Sequence, residues 1–210
     1  MDPRRRMVRD GYDAVADQWI VDRRRGAAHP SYPKREGRWL ERFYGKLPQG
    51  ARVLDLGCGG GEPILAALIE RGYHTTGVDF SRSQLRLARA RCPESAFVEG
   101  DLVDVELPAA SFDGAVAYDS LWHLPLADQA RVFERLRGWL IGGAPALVTV
   151  AVVDPGGEGA DHELLGRPMF YAVCSYEKTL AMLDAAGFAV EDHDFDVPDG
   201  GHTILLLRAV

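Results

Sequence analysis

The stretch RVLDLGCGGGEP, residues 52–63, decides the fold, because an apolar run is followed at once by an acid and four glycines. The apolar run predicts a buried β-strand that ends in a tight turn. In an open parallel sheet, ligands bind beyond the carboxyl ends of the strands. Glycines at that place let a ligand approach the backbone, while the next helix presents its N-terminus. The stretch therefore predicts a ligand-binding turn.

The spacing of the glycines separates the candidate ligands. A dinucleotide fingerprint that begins at Gly57 requires glycine at position 62, where the chain has Glu62. A phosphate-binding P-loop requires Gly-Lys-Ser or Gly-Lys-Thr, which the stretch lacks. The pattern present is Asp-x-Gly-x-Gly-x-Gly, from Asp55 to Gly61. Acids on both sides of the turn suit a ligand with a positive amino or sulfonium group.

The rest of the chain predicts an α/β fold. Five β-type runs alternate with helical patterns, at residues 51–57, 73–79, 95–101, 112–119 and 144–153. Two further runs, FAVEDHDF and HTILLLRAV, follow the last helix with no crossover helix between them. We expect a Rossmann-like, doubly wound sheet of seven strands, mostly parallel with an antiparallel C-terminal strand.

Local signals mark the ends of the predicted helices. Ser81, with Gln84 three residues later, predicts a capping box, and Gly72 predicts the end of the preceding helix. Ser175 predicts the cap of the last helix, which Gly187 ends.

We expect a single domain over residues 1–210. Residues 4–45 predict two helices, broken near the middle by Pro30 and Pro33. Residues 154–171, DPGGEGADHELLGRPMFY, predict a Gly/Pro-rich insertion that stands outside the strand–helix alternation.

The charge distribution argues against a nucleic-acid partner. Residues 1–46 carry 12 basic against 7 acidic residues, whereas the whole chain has a net charge of -7. Its acidic remainder would repel a phosphate backbone. The chain also lacks the run of about 18 apolar residues that a membrane helix needs, and the start MDPRRRMVRDGYD has no apolar signal region. We expect no nucleic-acid or membrane partner and a cytoplasmic location.

Cysteine and histidine spacing predicts no metal. Cys58, Cys92 and Cys174 are widely spaced and contain no C-x-x-C pair, so we expect reduced thiols. The six histidines show neither H-x-x-x-H nor H-E-x-x-H spacing.

The glycine turn resembles motif I of the class I S-adenosylmethionine-dependent methyltransferases. Further family motifs follow in order: GVDFS, GDL, FDGAVAYDSLWHLP, LIGGAPALV and LDAAGF. The resemblance covers residues 47–210 and departs from the family where Ile141, rather than proline, precedes Gly142 and Gly143. It implies a methyltransferase that moves a methyl group from S-adenosylmethionine to O or N of a small organic molecule and releases S-adenosylhomocysteine.

The resemblance also implies the residues that bind the cofactor. Asp79 would hold the ribose hydroxyls, with Phe80 against the adenine. Asp101 would accept from the adenine amino group, and the Leu102 backbone would meet a ring nitrogen. The remaining members line the methionine part or belong to the loop that orients it, namely Asp55, Gly57, Cys58, Gly59, Gly61 and Tyr118. The alternative for Asp79 and Asp101 is an ordinary acid at a strand end.

Residues 12–19, YDAVADQW, are similar to the family's Tyr-Asp-x-x-Ala-x-x-Tyr segment, with Trp19 in place of the last tyrosine. The resemblance implies that residues 1–46 form a helical lid, with Tyr12 and Trp19 over the cofactor. Aromatic rings there would exclude water and contact the positive sulfonium. The alternative is a helix whose aromatic stripe packs on the core.

Two side chains are candidates for removing the acceptor's proton. His123 follows the fourth strand, and its usual pKa suits a base at neutral pH, although a structural or gating role is an equal alternative. Asp119 is the second candidate. We expect the acceptor to be a small molecule and the protein to be a monomer or homodimer. The acceptor pocket would be walled by aromatic and apolar residues for which a core role is the alternative: Trp122, Met169, Phe170 and Tyr171.

Two other functions stay open. A non-catalytic S-adenosylmethionine-binding regulator would keep the same loop. An NAD-dependent oxidoreductase would share the fold, although Glu62 argues against it.

Overall fold

The computed structural model describes residues 1–24, 32–195 and 201–210, which contain a mixed sheet with helices on both faces. The helices are α1 Pro3–Arg24, α2 Tyr32–Tyr44, α3 Ile64–Glu70, α4 Arg82–Arg91, α5 Leu126–Trp139 and α6 Tyr176–Ala185, with a short 3₁₀ turn at Leu121–His123. The strands are β1 Arg52–Leu56, β2 His74–Asp79, β3 Ala96–Glu99, β4 Gly114–Ala117, β5 Pro145–Val152, β6 Gly156–Leu164, β7 Arg167–Cys174, β8 Phe188–Phe195 and β9 Gly201–Ala209.

The seven expected strands form the main sheet, in the order β3-β2-β1-β4-β5-β9-β8. The first five are parallel, whereas β9 runs antiparallel to both β5 and β8. The chain order reverses between β1 and β4, where Leu54 pairs with Thr76 on one side and Ala115 on the other. The predicted fold class is confirmed, and its ligand-binding crevice lies at this reversal.

The segment 154–171, expected to be a Gly/Pro-rich insertion after the fifth strand, contributes to an additional hairpin. Strands β6 and β7 pair antiparallel, and Val152 of β5 pairs with Cys174 at the end of β7. Strand β6 has no strand-like pattern in the sequence GGEGADHEL, because its side chains are largely exposed and it therefore needs no regular apolar residues. The buried side chains of β7, including Met169 and Phe170, hold the hairpin in place.

Alternate side chains of the central strands pack into two apolar layers, one on each face of the sheet. Ala115 and Ala117 face the helices α5 and α6, where Phe133 and Leu183 are fully buried. Val116 faces the opposite layer, which α2 and α3 cover. A sheet buried on both faces explains the continuous apolar runs in the sequence.

Helices α1 and α2 correspond to the two helices expected near the start of the chain. Pro33 is the second residue of α2, a position in the first turn where proline disrupts nothing, so it does not end a helix. Pro30 lies outside the described residues. Helix α1 packs on α4 and β7, and in the described part of the chain no helix is long and apolar enough to cross a membrane.

The helix caps follow the prediction with one correction. Ser81 Oγ accepts the backbone N–H of Gln84, and Ser175 Oγ accepts that of Lys178. Gln84 does not return a side-chain hydrogen bond, so the capping box is incomplete. The Ser81 N–H, which the side chain of Gln84 would accept in a complete box, donates instead to the Asp79 carboxylate at 2.8 Å. Asp13 of α1 accepts the Ser81 hydroxyl at 2.6 Å and the Ser83 N–H at 2.9 Å.

Candidate active site

The glycine turn is docked onto the end of β2. The backbone N–H groups of Gly57 and Cys58 both donate to the carbonyl of Val78, at 2.8 and 3.1 Å. Gly57 has a positive φ of 75°, and a Cβ there would lie 2.4 Å from the Cβ of Ser120. Only glycine fits that position. Burial raises the pKa of the Cys58 thiol well above its usual value, so this side chain is a neutral wall.

A cavity that is partly open to solvent lies beyond the carboxyl ends of β1 to β4. Most of the predicted site residues line it together: Tyr12, Trp19, Asp55, Gly57, Cys58, Gly59, Asp79, Phe80, Asp101, Leu102, Tyr118, Asp119 and His123. The sequence analysis did not predict several other lining residues as cofactor contacts: Val8, Ile20, Gly60, Glu62, Ile64, Gln84, Ser120 and Leu124.

Five predicted residues are absent from the cavity wall. Gly61 packs against helix α4, where a Cβ would lie 3.3 Å from Ala88. Met169 and Phe170 are buried with Val8 between β7 and α1. Trp122 is also buried, and its ring stacks on His202 with centroids 3.9 Å apart. Tyr171 lies one side chain away from the cavity, with its ring centroid 4.7 Å from that of His123.

Asp79 ties the glycine turn to helix α4. One carboxylate oxygen accepts the Gly59 N–H at 2.9 Å, and the other accepts the Ser81 N–H at 2.8 Å. Burial raises the pKa of Asp79 from 3.8 to about 6, although these backbone hydrogen bonds and that of Phe80 oppose the rise. A carboxylate accepts about four hydrogen bonds. Asp79 therefore keeps acceptor sites for further donors, such as ribose hydroxyls.

Gln84 is a cavity residue that the sequence analysis interpreted only as half of a capping box. Its side chain is 1% exposed, yet neither its amide nitrogen nor its amide oxygen has a hydrogen-bond partner in the structure. The oxygen lies beside the turn, 3.4 Å from where a Cβ of Gly60 would be. Buried polar groups are rarely left unpaired. This amide is therefore placed to bond a polar group inside the cavity.

Asp101 reaches the cavity from the end of β3 and is held on two sides. Its Oδ1 accepts the Val103 N–H at 3.1 Å, and its Oδ2 lies 2.6 Å from Nη1 of Arg5. Leu102 lines the cavity next to it. Arg5 belongs to the run PRRRM in α1, in which the sequence alone does not distinguish one arginine from the next.

Helix α1 closes one side of the cavity with Val8, Tyr12, Trp19 and Ile20. The spacing of these residues places them along one helix face. The rings of Tyr12 and Trp19 meet edge to face, with centroids 6.2 Å apart. This arrangement brings both predicted lid aromatics to the cavity.

His123 is held by two hydrogen bonds that define its tautomer. Its Nδ1 lies 3.0 Å from the Phe170 carbonyl oxygen, which can only accept, so Nδ1 carries the hydrogen. The other nitrogen, Nε2, accepts from the Tyr12 hydroxyl at 2.9 Å. Burial lowers the pKa of His123 to about 4. The imidazole is neutral at physiological pH and holds Tyr12, which favours a structural role over proton removal.

Asp119 follows β4 in a left-handed backbone conformation with φ of 55°. Its N–H donates to Thr149 Oγ1 at 2.6 Å, which holds this uncommon conformation. The residue lines the cavity, as the alternative-base prediction requires.

The charges and donors of the wall fit S-adenosylmethionine. Among the described residues, the lining includes five acids, Asp55, Glu62, Asp79, Asp101 and Asp119, but neither lysine nor arginine. A cationic sulfonium and amino group suit such a wall, whereas a pyrophosphate does not. The unpaired Gln84 amide adds a polar contact. Across the described ranges there is no cluster of histidine, cysteine, aspartate and glutamate suited to a metal ion.

Comparisons with known proteins agree with this geometry. The family described as methyltransferase domain matches residues 53–143. The 27-O-demethylrifamycin SV methyltransferase of Amycolatopsis mediterranei is 32% identical over 207 residues, covering 86% of this chain and 73% of that protein. Methyltransferase GfsG of Streptomyces halstedii is 36% identical over 123 residues, but the match covers only 55% of this chain and 44% of that protein.

Solved structures share the fold at low sequence identity. An S-adenosylmethionine-dependent methyltransferase from Clostridium acetobutylicum superposes with a TM-score of 0.75 at 14% identity, covering 92% of this chain and 98% of that one. The 1,6-didemethyltoxoflavin-N1-methyltransferase of Burkholderia thailandensis, solved with bound 1,6-didemethyltoxoflavin and S-adenosylhomocysteine, has a TM-score of 0.66 at 21% identity, covering 93% of this chain and 90% of that one.

The fold and the acidic cavity define an S-adenosylmethionine-type site on a doubly wound sheet. Together with the relative in Amycolatopsis mediterranei, they show that the chain belongs to the class I S-adenosylmethionine-dependent methyltransferases. The protein is a methyltransferase.

Proposed function

We propose that the protein transfers a methyl group from S-adenosylmethionine to an oxygen or nitrogen atom of a small organic molecule, with oxygen as the first candidate. The observation that carries the proposal is the cavity in which the glycine turn, Asp79 and Asp101 meet under helix α1. Oxygen comes first because relatives are named for it, including the rifamycin enzyme and the O-methyltransferase rstn1 of Aspergillus nomiae.

The adenosine part would be held at the ends of β2 and β3. Asp79 would accept both ribose hydroxyls while it keeps its bonds to the Gly59 and Ser81 N–H groups. Phe80 would lie against the adenine. Asp101 would accept from the adenine amino group, and the Leu102 backbone would meet a ring nitrogen.

The methionine part would lie along the glycine turn. Gly57 and Gly59 allow close approach to the backbone, and Asp55 and Tyr118 line the same cavity. The Tyr118 carbonyl would line the methionine part, and Asp55 would orient the loop and the amino group. When bound, the cofactor supplies a sulfonium methyl group that is already electrophilic. The protein's task is then to align the acceptor and to keep water away.

Helix α1 would exclude water from the reacting centre. Val8, Tyr12 and Trp19 present apolar and aromatic surface to the cavity, and aromatic faces attract a positive charge. Tyr12 is fixed by its hydrogen bond to His123, so this pair orients the wall on the acceptor side.

The acceptor's proton has two candidate destinations. His123 is a weak base in this environment, because burial lowers its pKa to about 4 and its Nε2 already accepts from Tyr12. Asp119 lines the same cavity and is the alternative. An acceptor that ionises readily needs neither residue, and this class of acceptor suits the site best.

The acceptor pocket would lie on the side of the β6–β7 hairpin. Of the four residues expected there, Tyr171 is the best placed, with its ring centroid between those of His123 and His162, at 4.7 and 4.6 Å. Trp122, Met169 and Phe170 are buried next to this region.

Several expectations from the sequence stay predictions. They are the lid over 1–46, the core over 47–210, the absence of metal, nucleic-acid and membrane partners, the cytoplasmic location and the monomeric or homodimeric state.

The test is methyl transfer to small metabolites. Purified protein receives S-adenosylmethionine with a ¹³C-labelled methyl group and a protein-free extract of cell metabolites, and products are found by mass spectrometry. The ¹³C methyl chemical shift then distinguishes O-methyl from N-methyl products. Asp79→Ala is the control, which should bind the cofactor poorly and label nothing.

Two results would contradict the proposal. Tight binding of S-adenosylhomocysteine, with no labelled product from a broad extract, would favour a non-catalytic regulator. Calorimetric binding of NAD without binding of either methionine compound would favour an oxidoreductase.

A further inference from the structure

Arg5 is a buried cation in the first turns of helix α1. Its side chain is 8% exposed, whereas its neighbour Arg6 is exposed to solvent. Three carboxylates surround the Arg5 guanidinium: Asp101 at 2.6 Å, Asp104 at 3.2 Å and Asp128 at 3.3 Å. They come from the segment after β3 and from the first turn of α5, so a single side chain joins α1 to two parts of the core.

The environment stabilises the charge of Arg5. Burial alone lowers the pKa of a guanidinium, but the adjacent Asp101 carboxylate, together with the charges of Asp128 and Asp104, outweighs burial and raises the pKa of Arg5 above its usual value. A buried charged pair of this kind is costly to break, because the remaining charge loses its partner without gaining water.

Arg5 itself does not line the cavity, whereas Asp101 does. The Asp101 carboxylate is clamped, since Val103 N–H holds Oδ1 and the Arg5 guanidinium faces Oδ2. A clamped carboxylate presents its remaining lone pairs in a fixed direction. A ligand group that donates a hydrogen bond to the Asp101 carboxylate therefore depends on Arg5 for the orientation of its acceptor.

We propose that Arg5 is a positioning residue that fixes the Asp101 carboxylate for recognition of the adenine amino group. The inference rests on the proposed function, in which Asp101 accepts from that amino group. Arg5 also belongs to the helix that supplies Tyr12 and Trp19 to the cavity. The Arg5–Asp101 ion pair thus both attaches helix α1 to the core and orients the acceptor for the adenine amino group.

The test compares two ligands and needs no acceptor. Calorimetry measures the binding of S-adenosylhomocysteine and of its purine analogue, in which hydrogen replaces the 6-amino group. The wild-type protein should bind S-adenosylhomocysteine about tenfold more tightly, as expected for one charge-assisted hydrogen bond. In Arg5→Met this ratio should fall to about twofold or less, because the carboxylate is no longer held.

Two variants control the comparison. Arg6→Met removes the same charge and length from the adjacent, exposed position and should keep the wild-type ratio. Arg5→Lys keeps the positive charge but not the planar guanidinium, so it should give an intermediate ratio. If Arg5→Met fails to fold, Arg5→Lys alone carries the test, and a wild-type ratio in it overturns the inference.

The remaining outcomes separate the inference from the function. If Arg5→Met weakens both ligands by the same factor, or neither, Arg5 only anchors α1 and the inference is wrong, while the proposed function stands. If the wild-type protein binds both ligands equally, Asp101 does not read the amino group, and the inference fails with that assignment. If the wild-type protein binds neither ligand, the proposed function fails as well.

Discussion

Cofactor binding should depend on the protonation of Asp79. Burial raises the pKa of this carboxyl from 3.8 to about 6 in the protein without ligand. Two ribose hydroxyls that donate to it would favour the charged form and lower that pKa again. Binding therefore releases a proton when Asp79 begins protonated, and affinity should rise with pH through this window.

The size of the effect follows from the pKa. An acid with a pKa of about 6 is ionised in roughly one molecule in eleven at pH 5 and in about nine of ten at pH 7. The Kd for S-adenosylhomocysteine should therefore be about tenfold higher at pH 5 than at pH 7. His123 adds nothing in this range, because burial lowers its pKa to about 4.

Isothermal titration calorimetry from pH 5 to 7, in buffers of different ionisation enthalpy, measures both the affinity and the released proton. The control is Asp79→Asn, which has no carboxyl to titrate and should bind weakly with the same Kd at both pH values. A wild-type Kd that is equal at pH 5 and pH 7 would refute the reasoning. So would a pH dependence that survives in Asp79→Asn.

The ionisation of Asp79 should also make the free energy of unfolding of the protein without ligand depend on pH. Because the pKa of Asp79 is raised on folding, the folded state holds its proton more tightly than the unfolded state between pH 3.8 and about 6. The free energy of unfolding contributed by Asp79 therefore falls as pH rises through that window, by up to about 3 kcal/mol. Urea unfolding of wild type and Asp79→Asn at several pH values isolates this difference.

Three further predictions concern other parts of the site. Gln84→Met should weaken S-adenosylhomocysteine binding about tenfold without loss of stability, since the amide has no hydrogen-bond partner among the described residues. Gln129→Met, which removes hydrogen bonds to two backbone carbonyls, should instead destabilise by about 1–3 kcal/mol in urea unfolding and leave affinity unchanged. Gly57→Ala should destabilise by about 2–5 kcal/mol and abolish binding, because its φ is positive and the new Cβ meets Ser120, whereas Gly142→Ala points into open space and should behave as wild type in both measurements. His123 should remain neutral with hydrogen on Nδ1 from pH 5 to 8 in ¹⁵N NMR, and a titration near its usual pKa would contradict the burial argument.

The sequence predicts the parts of the fold that local pattern controls. Apolar runs such as GAVA and PALVTVAV are strands because parallel strands buried on both faces need continuous apolar residues. The glycine turn is equally predictable from the sequence, since Gly57 has a positive φ and no room for a side chain. The carboxyl ends of parallel strands meet at one edge, so Asp79 and Asp101 had to approach each other.

What escaped prediction depends on contacts between distant segments. Strand β6 is exposed and rich in glycine, and only its pairing with β7 makes it a strand. Arg5 is one arginine of three in a row, and its burial depends on acids about a hundred residues away. Gln84 follows Ser81 at the capping-box spacing, but the Ser81 N–H donates to Asp79, and Asp13 of α1 accepts the Ser83 N–H.

The tautomer of His123 depends on a backbone atom, the carbonyl of Phe170 in β7. A carbonyl is present whatever the side chain at that position, so substitutions along the hairpin leave the imidazole's proton where it is. Substitution of the neighbouring Tyr171, or of residues in β6, would therefore leave this acceptor in place. The His123–Tyr12 pair, which joins helix α1 to the hairpin, therefore depends on the backbone of β7 and not on the identity of a side chain there.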